Sequence, residues 1–277
     1  MYGFIVGLRA SAQPTLILGK GILKSPLKDN PLRNPGESLD RQIDELINSK
    51  AMPYILIIVM GFIFAGFEWY RWYFEVKPNP IVYTILAITV TPYCFLKLFA
   101  IRKEVRHLIQ GRDGEKAVGQ YLESLRETSA KVFHDIPAKG FNIDHVVIAK
   151  SGIYVIETKT YSKPDTGQPK VIFDGTSLKF SSGFSTNKPL IQVEASSNWL
   201  RTLIKETTGK SFAIKPVIVF PGWFAEPTSD AKSSDIWVLN PKGLPTFIAN
   251  SKEKMAAEDM SLVAFHLSRY VRSYKED

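Results

Sequence analysis

The sequence predicts an α/β domain that follows two long apolar helices, and three observations indicate this architecture. Two runs without charge cover residues 51–67 and 78–96. From residue 102 onward, segments with helical spacing of apolar residues alternate with short strand-like runs. The hydrophobic content of 45% is sufficient for a packed core. We therefore expect three regions: a turn-rich cytoplasmic N-terminal tail with a short helix (1–50), two transmembrane helices (51–101) and an α/β domain (102–277).

The composition limits the chemistry of the chain. The net charge of +8 favours acidic partners, and both nucleic acid and anionic lipid fit this charge. The single cysteine, Cys94, excludes an intramolecular disulfide and a multi-cysteine zinc site. The four histidines lack the spacing of metal ligands, so zinc chemistry is not expected.

The tail carries no predicted chemistry. Its first ten residues are too short to span a membrane and lack basic residues before their apolar part, so no cleaved signal peptide is expected. Prolines and a glycine indicate a linker over residues 24–38, and residues 38–50 predict a short helix with Ser38 as its N-cap.

The two uncharged runs favour a membrane hairpin. Each approaches the roughly 20 apolar residues that cross a bilayer, and the connector, residues 68–77, is rich in aromatic side chains suited to the headgroup region. A buried helical hairpin in a soluble protein is the alternative. The connector holds only Arg71 and Lys77, whereas many basic residues follow the second run. This distribution places both termini in the cytoplasm, as expected for a prokaryotic inner-membrane protein.

The α/β domain should contain helices and strands in alternation. Apolar periodicity predicts helices at 111–125, 188–206 and 252–274. Strands are predicted at 131–137, 144–150, 152–161, 214–223 and 235–241, and a hairpin at 171–182 with Asp174-Gly175 in its turn.

The hairpin of residues 143–161 carries charges that call for an explanation. A turn at Lys150 and Ser151 would place Asp144 opposite Glu157 on one face of the sheet, and Lys159 shares that face. Two facing carboxylates repel each other unless a cation lies between them. Lys159 or a bound divalent ion would supply this cation.

Carboxylate oxygens suit Mg²⁺ or Mn²⁺, and such an ion beside a lysine can polarise a phosphate and hold an attacking water. The alternative is a solvated polar edge with an ordinary Glu–Lys contact. The spacing of the three charged residues leaves both interpretations open.

Four segments, in order, resemble the nuclease-related domain (NERD) family of the PD-(D/E)xK superfamily: GRDGEKAVGQYLESL, NIDHVVIAKSGIYVIETKTYS, KPLIQVEASSNWLRTLI and PVIVFPGW. The resemblance covers Gly111 to Trp223. It implies a PD-(D/E)xK endonuclease-like mixed sheet flanked by helices, here preceded by the transmembrane hairpin. It also implies a Mg²⁺- or Mn²⁺-dependent nuclease with nucleic acid, DNA in particular, as its partner.

The resemblance also implies roles for individual residues. Asp144 and Glu157 match the family's metal ligands, and Lys159 matches the lysine that positions or activates water. Glu115 matches an acidic residue that can join the metal shell, and Gln192 a polar residue that faces the site. We therefore expect Lys159, Gln192 and Glu115 as catalytic residues. The chain departs from the family at Lys188, where asparagine is expected before the proline.

Each role has a structural alternative. Glu115 also fits a stabilising charge near a helix N-terminus, and Gln192 an ordinary helix-face amide. His145 and Trp223 are expected to be structural. Five lysines fit either phosphate contacts or a solvated surface: Lys150, Lys163, Lys170, Lys179 and Lys188.

The resulting hypothesis is a membrane-anchored, metal-dependent nuclease that hydrolyses phosphodiester bonds on the cytoplasmic side. A non-catalytic nucleic-acid-binding or signalling module with the same fold is the first alternative. A membrane scaffold for partner docking is the second.

Overall fold

The computed structural model describes residues 30–77, 79–252 and 254–275. The expectations for residues 1–29, and Pro78 of the second apolar run, lie outside this range. The chain forms six α-helices in the described part: α1 Glu37–Glu45, α2 Met52–Tyr73, α3 Pro80–Glu123, α4 Lys188–Thr208, α5 Leu244–Ala249 and α6 Ala257–Ser273. A π-helical stretch, Leu46–Ala51, joins α1 to α2.

Helices α2 and α3 form an antiparallel hairpin, in which Tyr54 contacts Tyr93 and Phe64 contacts Tyr83. Both helices are long and apolar enough to cross a membrane. Most of their large apolar side chains are exposed. Glu68 closes the hairpin because its carboxylate accepts the backbone N–H of the residue that precedes α3, Asn79, at 2.8 Å.

Helix α3 differs from the prediction of two separate helices at 78–96 and 111–125. It runs unbroken for 44 residues from Pro80 to Glu123. Residues 97–110 contain neither proline nor glycine, so nothing interrupts the helix between the apolar run and the α/β domain. One helix therefore connects the hairpin to the domain.

The main sheet is mixed, as expected, with the strand order β1-β2-β3-β7-β9. Strands β1 to β3 are antiparallel, and β7 and β9 are parallel to β3. Helix α4 belongs to the crossover between β3 and β7. The five strands are β1 Lys131–Ala138, β2 Phe141–Ala149, β3 Gly152–Thr158, β7 Ile214–Val219 and β9 Trp237–Leu239.

A second, smaller sheet has the order β6-β5-β4-β8. Its strands are β4 Lys170–Phe173, β5 Leu178–Phe180, β6 Ser185–Thr186 and β8 Phe224–Pro227. The predicted hairpin is β4–β5, and Asp174 holds its turn by accepting the backbone N–H of Ser177 at 2.7 Å. The prediction omitted β6, β8 and α5, which are too short for a periodic pattern to be recognised.

Helices cover both faces of the main sheet. Buried side chains of α4 and α6, such as Val193 and Val263, share one core with Val146 and Val155 of the sheet. Buried side chains of α3 and α5 form the second core with the alternate strand residues. This alternation follows from the two-residue period of a strand.

Segment 30–45 lies against the domain. The predicted N-cap of α1, Ser38, is wrong, since Gly36 occupies the cap position with φ 72° and no side chain caps the helix locally. The backbone N–H of Ser38 donates instead to Asp135 of β1 at 2.9 Å. A carboxylate distant in sequence thus replaces the local cap.

Candidate active site

The β2–β3 hairpin has the register that the sequence predicted. Ala149 pairs with Gly152 and His145 with Ile156, so the next position sets Asp144 opposite Glu157. The carboxylate of Asp144 accepts the backbone N–H of Thr158 at 2.7 Å. This bond fixes Asp144 at the carboxyl end of β3, beside the other charged residues.

Lys159 follows β3 and joins two of the candidate residues. Its ammonium donates to Glu157 Oε1 at 2.6 Å and to Gln192 Oε1 at 2.9 Å. Its backbone N–H donates to Val219 O at 3.0 Å, which holds the residue beside β7. The structure therefore brings Glu157, Lys159 and Gln192 together from β3 and α4.

Glu115 approaches the same place from α3. Helix and strand lie very close here, since a Cβ at Gly114 would be 2.0 Å from the side chain of Thr160. Glu115 is almost buried, and the backbone N–H of Gly36 donates to its carboxylate. It lies far inside α3, so the alternative role at a helix N-terminus is wrong.

Burial and mutual repulsion govern the carboxylates of this site. Burial, followed by the charges of Glu157 and Glu115, raises the pKa of Asp144 well above its usual range. Burial also raises the pKa of Glu157. Burial, then Asp135 and Glu157, raises the pKa of Glu115 to about 8. Each carboxyl group thus lacks the compensation that full ionisation requires.

Lys159 supplies only part of that compensation. Burial opposes its charge, but the attraction of Glu157 and Asp144 outweighs burial and raises the pKa of the ammonium. The second oxygen of Glu157, Oε2, is buried and has no hydrogen-bond partner among the described residues. A buried carboxylate oxygen without a partner is a position at which a cation would be stabilising.

We tested these residues for their fit to a metal ion. Across residues 30–77, 79–252 and 254–275, no three His, Cys, Asp or Glu side chains are placed to hold one together. Mg²⁺, however, usually takes one or two protein carboxylates and keeps several waters. Asp144 and Glu157 supply two carboxylates, one with the unpartnered oxygen, and this donor set fits such an ion.

Asp135 is a carboxylate near the site that the sequence analysis missed. It lies on β1 opposite Asp144, but the regular pairing skips it, and its φ is 48°. Its Oδ1 accepts from the amide of Asn142 at 3.2 Å, and its Oδ2 lies 3.5 Å from Arg33 and 3.8 Å from Arg41. An aspartate in the middle of a predicted strand was the available signal.

His145 and Trp223 have the structural positions expected of them. His145 is fully buried, and its Nδ1 lies 2.8 Å from Nδ1 of His134 across the strand pair. Trp223 is buried, and its indole N–H donates to Tyr161 O at 3.3 Å. Neither ring is available to a substrate.

The five lysines considered for phosphate contacts lie in different surroundings. Lys170 pairs with Glu226, and Lys179 lies 3.0 Å from Asp174. Lys150 lies in the β2–β3 turn, at the opposite end of β3 from Glu157. Lys188 is exposed at the first position of α4, and Lys163 is exposed beside Gly222. These last two lysines lie four residues along the chain from Lys159 and Gln192, respectively, in the order Lys163 and Lys188.

Comparison with known proteins assigns a family to this part of the chain. An uncharacterized protein of Bacillus anthracis is 39% identical over 57 residues, which cover 19% of this chain and 27% of that protein. No solved structure matches the chain significantly. Residues 110–221, which contain all five candidate residues, match the profile of the nuclease-related domain. This segment is therefore a nuclease-related domain of the PD-(D/E)xK-like nuclease superfamily.

Proposed function

We propose that this protein is a membrane-anchored nuclease that hydrolyses DNA phosphodiester bonds on the cytoplasmic side with Mg²⁺ or Mn²⁺. One observation carries the proposal: Asp144, Glu157 and Lys159 converge at the end of β3, with Glu157 Oε2 buried and unpartnered. The family of residues 110–221 supports a nuclease-like function.

In this proposal Asp144 and Glu157 hold the ion, and Glu115 adds negative charge beside it. The bound ion would supply Lewis-acid polarisation of the phosphate. Lys159 orients the attacking water and stabilises the negative charge that develops as the P–O bond breaks. Gln192 positions Lys159 through the 2.9 Å hydrogen bond. The products are a phosphate monoester and a free hydroxyl.

Membrane anchoring is supported by the exposed apolar surface of α2 and α3. Exposed side chains such as Leu56 and Ile88 form a surface much larger than soluble monomers usually expose. Helix α3 rises only about 20 Å between Lys97 and Gln110, and Gln110 already contacts Thr160 O beside the site. The site would therefore lie close to the bilayer.

The topology has a direct test. Reporter fusions at residue 77 and at the C-terminus should report opposite compartments, since a connector poor in lysine and arginine is translocated. Reporters on the same side, or a full-length protein that is soluble without detergent, would contradict the anchoring.

A non-catalytic binding module is the second candidate, and the 2.6 Å contact between Lys159 and Glu157 favours it. That contact balances part of the site's charge without a metal. In the catalytic proposal, the ion would bind the unpartnered Glu157 Oε2, and Lys159 would keep its contact with Oε1.

Cleavage by the purified protein distinguishes the two candidates. The full-length chain in detergent is appropriate because segment 30–45 contacts the domain through Asp135 and Glu115. Linear DNA, circular DNA and RNA are incubated with Mg²⁺ or Mn²⁺. Cleavage of DNA that Asp144→Asn abolishes and Lys179→Ala preserves is expected. A wild-type protein that binds these substrates but cuts none of them would favour the binding module.

A further inference from the structure

A cleft of about 530 Å³ opens at the end of the main sheet opposite the candidate active site. It lies beside the first residues of β3 and β7, whereas Glu157 lies near the last residue of β3. The segment before α6 closes its rim, where the backbone N–H groups of Lys254 and Met255 donate to Lys150 O at 2.8 and 3.0 Å. The cleft is therefore separate from the carboxylate cluster.

The lining of this cleft is strongly basic. Among the described lining residues there are four cations and one carboxylate, Asp235. The cations are Arg201, Lys215, Lys252 and Lys254. None of the three lysines forms an ion pair with another residue in the described ranges. Cations that outnumber carboxylates on a concave surface attract anions.

Lys215 is the most constrained of these cations. It is half-buried, and its ammonium lies 5.3 Å from the ring centroid of Trp237. Burial lowers the pKa of Lys215, so its charge is incompletely compensated in the protein alone. A bound anion would restore that compensation.

The remaining lining suits a ligand with an apolar body. Ile153, Ala213 and Ile214 lie beside the basic residues, together with the indole of Trp237. The volume falls within the roughly 300–1,000 Å³ of small-molecule sites. Phosphate groups match the cations, and a nucleoside matches the size and the apolar surface. We propose that this cleft binds a nucleoside phosphate.

The position of the cleft argues against a lipid headgroup. Gln110 of helix α3 contacts Thr160 O, just beyond the carboxyl end of β3. This end of β3 therefore lies nearest the apolar hairpin. The cleft lies at the amino end of β3, about 20 Å further along the strand. The cleft thus lies at the end of the sheet away from the Gln110 contact, which favours a ligand from solution. A free nucleotide and the 5′-phosphorylated end of a nucleic-acid strand present the same chemistry.

Calorimetric titration of the full-length protein tests this proposal. EDTA is included so that binding does not depend on metal at Asp144 and Glu157, which keeps this test independent of the proposed nuclease activity. The probes are ADP, adenosine, inorganic phosphate, and dinucleotides with and without a 5′-phosphate. Lys215→Ala and Lys254→Ala remove cleft cations, Lys252→Glu reverses an exposed one, and Lys232→Ala is the exposed control.

ADP or the 5′-phosphorylated dinucleotide should bind, and adenosine should not. Each alanine variant should weaken binding about tenfold, because a hydrogen bond to a charged group contributes at least one order of magnitude. Lys252→Glu should weaken binding further, because it reverses an exposed charge and leaves the fold unchanged. Lys232→Ala should have no effect on binding. Tighter binding of ADP identifies a free nucleotide, and tighter binding of the dinucleotide identifies a strand end. Failure of both to bind, equal affinity for inorganic phosphate, or binding unchanged in all cleft variants would overturn the proposal.

Discussion

Asp135 and Asp144 occupy facing positions on β1 and β2, yet their surroundings differ in one respect. Asp135 has cations beside it: Arg33, Arg41 and the backbone N–H of Ser38 approach its Oδ2 and offset part of the burial that raises its pKa. The carboxylate of Asp144 accepts the backbone N–H of Thr158 and lies among other carboxylates that raise its pKa. Burial raises the pKa of both residues, but arginines lie beside Asp135, whereas the carboxylates of Glu157 and Glu115 raise the pKa of Asp144 further.

The difference separates a structural carboxylate from a candidate ligand. Removal of a buried carboxylate that pairs with the protein's own cations destabilises the fold. A buried carboxylate placed against other carboxylates destabilises the fold until an external cation binds. Asp135 therefore attaches segment 30–45 to the domain, and Asp144 with Glu157 forms a position at which a divalent ion would be stabilising.

Substitution of Asp135 should have the largest effect on stability. Asp135→Asn retains a residue that tolerates a positive φ but removes the charge opposite Arg33. We expect a loss of about 2 kcal/mol in the free energy of unfolding, because an uncharged amide replaces the carboxylate that accepts the Ser38 N–H and attracts Arg33. Denaturant unfolding measures this loss. Asp165→Asn, at an exposed position, is the control, and an equal loss there would contradict the structural role of Asp135.

Substitution of Lys159 should affect catalysis and leave metal binding in place. A lysine contributes no metal-binding oxygen, so Lys159→Ala should preserve Mg²⁺ affinity or increase it by freeing Glu157 Oε1. Cleavage should fall by about two orders of magnitude, as for other electrostatic contacts to a transition state. Undiminished cleavage in single-turnover assays would show that the chemistry lies elsewhere.

Added Mg²⁺ should stabilise the protein through Asp144 and leave Asp135 unaffected. At ten times its dissociation constant, the ion should contribute about 1.4 kcal/mol to the free energy of unfolding by mass action. Asp144→Asn should remove most of this response, and Asp135→Asn should retain it. Thermal unfolding with and without Mg²⁺ makes the comparison. A response that depended on Asp135 and not on Asp144 would reverse our assignment.

The pH dependence of the metal-free protein should be the smallest effect. The folded pKa of Glu115, about 8, exceeds its usual 4.5, so the folded state retains a proton that the unfolded state has lost. Its contribution to stability is complete below pH 4.5 and is lost as pH rises through about 8.

The interval from pH 6.5 to 8 avoids the lowered pKa values of His134 and His145, which act in the opposite direction below 6.5. The raised pKa values of Asp144 and Glu157 act in the same direction as that of Glu115, so the Glu115 variant is needed to separate its share. Stability should fall by about 1 kcal/mol over this interval. Glu115→Gln should flatten the slope. A wild-type slope that is unchanged in this variant would place the titration in another group.

Much of the fold followed from local sequence signals. The three antiparallel strands, the β4–β5 hairpin and helix α4 were predicted because each contains several residues of regular periodicity. The register of β2 and β3 followed from a two-residue turn, which fixes every opposed pair along the hairpin. The facing positions of Asp144 and Glu157 were therefore available before the structure.

Other features depended on contacts between distant parts of the chain. The sequence alone determined the apolar runs, the main strands and the charged residues of the β2–β3 hairpin, because these depend on neighbours along the chain. Only the tertiary structure showed that segment 30–45 lies against Asp135 and Glu115. These two residues are about 100 and about 80 positions further along the chain. The tertiary structure also decided which carboxylate has cations beside it and where the basic cleft lies, because burial and charge neutralisation arise from long-range packing that no local pattern encodes.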